Sequence, residues 1–63
     1  MKLKIEICGD NAAFEDVNRG EEMARILKEA ANKCAGGYLN SPGDEVRLMD
    51  YNGNTVGKAK VVK

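Results

Sequence analysis

Residues 18–37, NRGEEMARILKEAANKCAGG, constrain the fold more than any other part of the chain. Apolar residues recur there at spacings of three, four and seven, which is the pattern of an amphipathic helix with one buried face. That face comprises Met23, Ile26, Leu27, Ala30, Ala31 and Cys34. Asn18 is placed to cap the helix with Glu21 at the capping-box spacing, and Gly36 and Gly37 end it. We expect the helix to pack through its apolar face onto a sheet.

Three other segments have the patterns of β-strands. Residues 2–8, KLKIEIC, alternate strictly, so that Leu3, Ile5 and Ile7 share one side while charged residues share the other. Residues 45–50 and 55–63 predict two further strands, which form a hairpin around an Asn-Gly pair. The segments 9–18 and 38–44 are rich in Gly, Asp, Asn and Pro and are predicted to be loops. Phe14, the only phenylalanine, is predicted to plug the core from the first loop.

The order of these elements, β–α–β–β, predicts a single α+β domain over residues 1–63. One amphipathic helix packs on a three-stranded, mostly antiparallel sheet. A strand order of 2-3-1, with the last strand central, avoids a right-handed parallel crossover. The order 3-2-1 is the alternative.

The hairpin tip, DYNGNTVG at residues 50–57, allows more than one interpretation. A two-residue turn at Asn52-Gly53 keeps residues 46, 48, 57, 59 and 61 on the inner face. A type I turn beginning at Asp50, with Gly53 left-handed, shifts the register by one and sends Lys58 inward. A calcium loop is disfavoured, because Thr55 stands where that loop needs glycine and Val61 where it needs a bidentate glutamate. The sequence alone does not decide between these two turns.

Bulk properties limit the class of protein. A chain of 63 residues is near the lower size limit for independent folding. Ten basic and ten acidic residues cancel, no apolar run approaches the length of a membrane span, and the N-terminus lacks the apolar stretch of a signal peptide. We therefore expect a cytoplasmic protein with no membrane contact. Cys8 and Cys34 are expected to be free, buried thiols, although a bridge between them is the alternative if their Cα atoms lie close.

The composition argues against catalysis. The chain has no histidine, which excludes Ser-His-Asp and Cys-His arrangements, and no Gly-rich phosphate loop precedes the helix. Two cysteines supply too few soft ligands for a structural zinc site. A single helix on three strands hardly encloses a pocket of several hundred Å³. We predict no enzyme activity, no metal and no cofactor.

Charged residues are the candidates for binding. The first hairpin register places a basic stripe on the outer side of the sheet, formed by Lys2, Lys4, Arg47, Lys58 and Lys60. Such lysines serve solubility and edge protection in many proteins, or they bind phosphates or acids. Tyr51 could stack on a base from that side. Asp10, Glu15 and Asp16 form a loose acidic cluster in the first loop.

Three stretches, DNAAFED, MARILKEAANK and MDYNGNTVG, resemble the pattern of short uncharacterised proteins encoded by bacteriophages and prophages. The resemblance covers most of the chain, except that the NSPGDEVRL connection is less typical. It implies a bacterial host cytosol and a small accessory phage product, of a kind that acts by binding a host protein. No activity accompanies it.

Three functional hypotheses follow. The first is a protein-binding accessory module, with an inhibitor of a host or defence enzyme as one form, whose contacts are Asp10, Glu15, Asp16 and the exposed sheet face. The second is a nucleic-acid-binding module that uses the basic stripe. The third is a self-associating protein, such as a homodimer, whose open edge strand pairs with a copy.

Overall fold

The computed structural model describes residues 1–16 and 18–63; Val17 and the side chain of Asp16 lie outside the described part. The fold is α+β, as predicted, with one main helix and one short helix on a three-stranded antiparallel sheet. The elements are β1 (Lys2–Ile7), α1 (Ala12–Asp16), α2 (Arg19–Ala35), β2 (Glu45–Met49) and β3 (Thr55–Val62). The strand order is β1-β3-β2, which confirms the predicted order with the last strand in the centre. Among the described helices, none is both long and apolar enough to cross a membrane.

The first strand behaves as the alternation predicts, but its apolar side is poorly covered. Leu3 pairs with Val61 and Ile5 with Ala59, and these two partners are buried, so Leu3 and Ile5 point to the helix side of the sheet. Nevertheless Leu3 is 44% exposed and Ile5 is 39% exposed. The alternation therefore predicts which side of β1 is apolar, but not how far the rest of the fold covers that side.

The predicted loop at residues 9–18 contains the short helix α1, which corrects the sequence interpretation. The Asn11 side chain begins this helix by accepting a hydrogen bond from the Ala13 N–H at 3.2 Å. Ala13 and Phe14 are buried. Phe14 is therefore the core plug that the sequence predicts, held by a helix rather than by a loop. Five residues are too few to reveal helical periodicity.

The ends of α2 agree with the prediction. The Asn18 side chain accepts a hydrogen bond from the Glu21 N–H at 3.1 Å and caps the N-terminus. At the other end Gly36 is the C-cap, and Gly37 adopts a left-handed φ of 84°. Both ends depend on local sequence, which explains why they could be predicted.

The buried face of α2 is rotated relative to the predicted stripe. Ile26 and Ala30 are buried as expected and Met23 is half-buried, but Leu27, Ala31, Cys34 and also Cys8 are exposed. Glu22 takes a buried position instead. The cause is that α2 packs against β2, so the flank of the helix carrying Leu27 lies uncovered. The expectation of buried cysteines is wrong, whereas both thiols are free, as expected.

The core is small and lies between α2, α1 and the inner side of β2 and β3. Its largest fully buried side chains are Phe14, Ile26 and Val61. Leu39, from the connection after α2, closes one part of it. The rest of the cluster consists of Ala30, Leu48, Val56 and Ala59, with Ile7, Met23 and Val46 packed at its border.

The hairpin tip has the geometry of the bulged alternative. The Gly53 N–H donates to the Asp50 carbonyl at 3.0 Å, so the type I turn begins at Asp50. Gly53 has a φ of 84°, a left-handed conformation that glycine adopts at little cost. The next pair is Asp50 with Asn54, joined by a hydrogen bond of 2.9 Å from the Asp50 N–H.

The ladder beyond the tip has the register of the other alternative. Leu48 pairs with Gly57, whereas Met49 pairs with Thr55, so Val56 is an extra residue in β3. This β-bulge turns Val56 into the core and returns Lys58 to the outer side. Each sequence interpretation was therefore correct for one half of the hairpin. Gly57 follows the bulge, and a Cβ there would collide with the Glu6 carbonyl of β1.

Candidate functional site

The side of the sheet that faces away from α2 is a continuous exposed surface, which we call the outer sheet face. Alternation along the paired strands places all five predicted basic residues on it. The outer sheet face consists of Lys2, Lys4, Glu6, Glu45, Arg47, Lys58, Lys60 and Val62. Every charged residue of this face is exposed. The structure therefore brings together the basic stripe that the sequence predicts.

Like charges stand beside one another on this face. Lys4 of β1 lies directly opposite Lys60 of β3, and Arg47 of β2 lies opposite Lys58. Like-charged residues in directly opposed positions destabilise an antiparallel sheet. Each central lysine, however, also lies opposite a carboxylate on its other side: Lys60 opposite Glu45, and Lys58 opposite Glu6. These carboxylates offset part of the cost of the two cationic pairs.

Two carboxylates moderate the positive charge. Glu6 lies opposite Lys58, and Glu45 accepts an ion pair from Lys58 Nζ at 3.5 Å. Both side chains of that ion pair are largely exposed, so its contribution to stability is at most about 1 kcal/mol. An open depression on the face is lined by Lys4, Glu6, Lys58 and Lys60 among others. The surface is thus of mixed charge, with an excess of cations.

The other predicted site residues lie elsewhere. Tyr51 belongs to the hairpin turn, where its ring is about half-exposed and its N–H donates to Glu22 Oε2 at 2.8 Å. Asp10 lies in the connection before α1 and accepts a hydrogen bond from Cys8 Sγ at 3.5 Å. Glu15 lies exposed on α1, and Asp16 ends that helix with a side chain outside the described part. The acidic cluster is thus divided between a connection and a helix.

A buried polar network, which the sequence did not reveal, lies beneath the hairpin tip. At one end of it, the Asp50 carboxylate is almost fully buried and accepts the N–H groups of Asn52 and Asn54, each at 2.9 Å. It also accepts the Asn11 side-chain amide at 2.7 Å. Burial acts to raise the pKa of Asp50, but the hydrogen bonds from Asn54, Asn11 and Asn52 together hold that pKa below its ordinary value. The residue that opens the calcium-like pattern therefore orders a turn and attaches it to the start of α1.

At its other end the network fastens the hairpin to α2. Arg25 makes a two-pronged contact with Glu22, at 2.7 and 3.1 Å, and its guanidinium also donates to the Met49 carbonyl at 3.1 Å. Glu29 accepts a further bond from Arg25 at 2.7 Å. The pKa of Glu22 is lowered chiefly by the hydrogen bonds from Arg25. Burial acts to raise this pKa, and the hydrogen bond from the Tyr51 N–H helps to lower it. The pKa of Arg25 is raised, chiefly by Glu22.

The donors and acceptors of this network satisfy one another. In the described part of the chain, every buried side-chain nitrogen or oxygen has a hydrogen-bond partner. The spacing of Glu22 and Arg25, three residues apart on a helix, was the available sequence signal, but it does not specify burial. The network accounts for the shape of the hairpin tip. The outer sheet face is therefore the better candidate for binding.

The described residues include no group of three or more His, Cys, Asp or Glu side chains placed to hold a metal ion. No protein-family model, curated protein or solved structure matches the chain. The resemblance to phage-encoded proteins stays a prediction.

Proposed function

We propose that the protein is a non-catalytic binding module whose outer sheet face holds an acidic surface of a partner protein. The observation that carries the proposal is the placement of two directly opposed cationic pairs, Lys4 with Lys60 and Arg47 with Lys58, on an uncovered sheet. Such pairs cost stability in the free protein. Carboxylates of a partner would relieve that repulsion when they bind.

The mixture of charges favours a protein over a nucleic acid. Glu6 and Glu45 lie among the cations, and they would repel the phosphates of a nucleic acid that followed the face. The surface of a protein, in contrast, can place a lysine or arginine side chain opposite each of these two glutamates. Single-strand binders also stack bases on several rings, and Tyr51 is a single aromatic residue in the turn beyond the paired strands.

Arg47→Glu is the sharpest single test of the outer sheet face. It reverses one charge of the face, on the edge strand β2, and replaces a like-charged pair with an opposite-charged pair beside Lys58. Stability should therefore be unchanged or rise by a few tenths of a kcal/mol. Lys28→Glu is the matched control, because it makes the same kind of charge change on an exposed position of α2.

The assay is affinity capture from a bacterial extract, with the wild type and both variants immobilised at equal density. We expect an acidic protein that the wild type and Lys28→Glu retain and that Arg47→Glu loses. Its binding should then be reproduced with the purified partner. Equal retention by all three proteins would contradict the proposal. Retention on DNA at low salt that weakens steeply as salt rises would instead support the nucleic-acid hypothesis.

An inhibitor of a host or defence enzyme is the finer form of this proposal. In that form the captured partner is an enzyme. Its activity then falls when the wild type is added, and it is unchanged by Arg47→Glu at the same concentration.

A further inference from the structure

The two edges of the sheet differ in how their backbone groups are used. The Cys8 N–H, just beyond β1, donates to the Val56 carbonyl of β3 at 2.8 Å. Backbone groups along a strand point alternately to either side. The N–H and C=O groups of the even-numbered residues of β1 therefore point to β3, and those of Leu3, Ile5 and Ile7 point to the open edge. At the opposite edge, the Met49 carbonyl of β2 accepts Arg25. Within the described residues, no side chain makes a hydrogen bond to the open groups of β1.

An uncovered apolar strip runs beside the open edge on the helix side. Leu3 and Ile5 form its strand part. Leu27 of α2 forms the other part: it follows Ile26 by about 100° around the helix, whereas Arg25 precedes Ile26 by the same angle. Since Arg25 reaches the β2 edge and Ile26 faces the core, Leu27, which is 45% exposed, lies on the β1 side.

We propose that this edge pairs antiparallel with β1 of a second copy of the chain, with Ile5 on the two-fold axis. In that register Leu3 lies opposite the partner's Ile7, and Lys4 lies opposite the partner's Glu6. Leu3, Ile5 and Ile7, whose backbone groups point to the open edge, each exchange two hydrogen bonds with the residue opposite them in the partner. The apolar strips of the two copies then meet on the helix side.

The charges of β1 select this register. Directly opposed residues must lie on the same side of the sheet. The two-fold axis can therefore pass through Lys4, Ile5 or Glu6, and each such step changes the partner of every residue by two positions. Centring the pair on Ile5 places Lys4 against Glu6 twice, at the positions where side chains approach most closely. Centring it on Lys4 puts Lys2 against Glu6 twice but also puts Lys4 against its own copy, and centring it on Glu6 puts that glutamate against its own copy. Lys4 discourages pairing of this edge with unrelated strands. It nevertheless allows pairing with a strand that has a glutamate opposite it, as β1 of the second copy has at Glu6.

A two-fold dimer of this kind has a continuous six-stranded sheet with both long helices on one side. The outer sheet face of one copy then continues into that of the other. The inference does not depend on the proposed function, because dimerisation is measured as a mass without any partner protein, and Arg47, whose variant tests partner binding, lies on β2 at the other edge of the sheet. Failure of dimerisation and failure of partner binding are therefore separate results.

The test is sedimentation equilibrium of the wild type, Lys4→Glu, Glu6→Lys and the double charge swap. For the wild type we expect a mass that rises with concentration from 6.8 kDa towards twice that value. Each single variant places like charges opposite each other twice, and its dimer dissociation constant should rise at least about fivefold. The double swap restores both opposite-charge pairs and should return that constant to within about threefold of the wild type.

The two swaps nearly cancel within one copy, because Lys4→Glu removes a like-charged pair with Lys60 and Glu6→Lys creates one with Lys58. Circular dichroism checks folding, and Lys28→Glu, the matched single-charge control, should dimerise as the wild type does. Ile5→Lys, which places a charge on the two-fold axis, should be monomeric. A wild type that stays at 6.8 kDa up to millimolar concentration, or a dimer that both single variants leave intact, would overturn the inference.

Discussion

The position of α2 over β2 predicts different costs for truncating two neighbouring residues of the helix. Ile26→Ala and Leu27→Ala each remove three side-chain carbons and leave alanine, the best helix former. Ile26 is fully buried, so its truncation should cost about 2–5 kcal/mol, which includes the cavity left behind. Leu27 is 45% exposed and leaves no closed cavity, so its truncation should cost about 1 kcal/mol.

Urea unfolding followed by circular dichroism measures both costs, at a protein concentration low enough to keep the chain monomeric. On the thermal scale, Leu27→Ala should lower Tm by about 4–8 °C, because 1 kcal/mol corresponds to that shift in a domain of this size. A core this small supplies roughly 3–5 kcal/mol, so we expect Ile26→Ala to be mostly unfolded without a stabilising osmolyte. Ile26→Val, which removes only one carbon, then supplies the measurable value: it should cost about 0.5–1.5 kcal/mol, as much as the loss of three carbons at Leu27. If Leu27→Ala proved as costly as Ile26→Ala, the helix would be rolled towards β1 and the reasoning would be refuted.

Three further predictions concern the close approach of β3 to β1, the buried network and the helix cap. Gly57→Ala should unfold the chain or detach β1, seen as lost protection in amide exchange, because the new Cβ meets the backbone of that strand; unchanged protection would contradict the close approach. In the folded protein the pKa values of Glu22 and Asp50 lie below their ordinary values of 4.5 and 3.8. The contribution of these carboxylates to the free energy of unfolding is therefore complete above the ordinary pKa values, and it is lost as the pH falls through the pKa values of the folded state. A Tm series from about pH 5 to about pH 2 should therefore fall, and Glu22→Gln should flatten it; a slope unchanged in that variant would show that other groups cause the decline. Asn18→Ala should cost about 0.5–2 kcal/mol in urea unfolding, and a loss near zero would mean that the cap is replaced by water.

Local chemistry made the helix ends and the strand order predictable from sequence. Asn18 before an apolar periodic segment and a glycine after it specify the ends of α2 without reference to the rest of the fold. The alternation at residues 2–7 and the hairpin likewise leave few ways to arrange three strands. The five basic residues of the outer sheet face could be assigned to one side for the same reason, because period two is a property of the strand itself.

What the sequence could not specify depends on tertiary contacts. Leu27 and Glu22 lie on opposite sides of Ile26, and only the packing of α2 against β2 decides which of them is covered. A buried glutamate is acceptable there because Arg25 and a backbone N–H satisfy its oxygens. The hairpin is similar: the tip favours one register and core burial favours the other, and a bulge at Val56 accommodates both.

Amide hydrogen exchange can show whether β1 is an open edge with its apolar side half-covered. In a dilute, monomeric sample, the N–H groups of Lys4 and Glu6 should be protected, because they bond to β3. Those of Leu3 and Ile5 should exchange freely and should gain protection as the concentration rises. Protection of all four amides in the dilute monomer, or of Leu3 and Ile5 alone, would contradict the account.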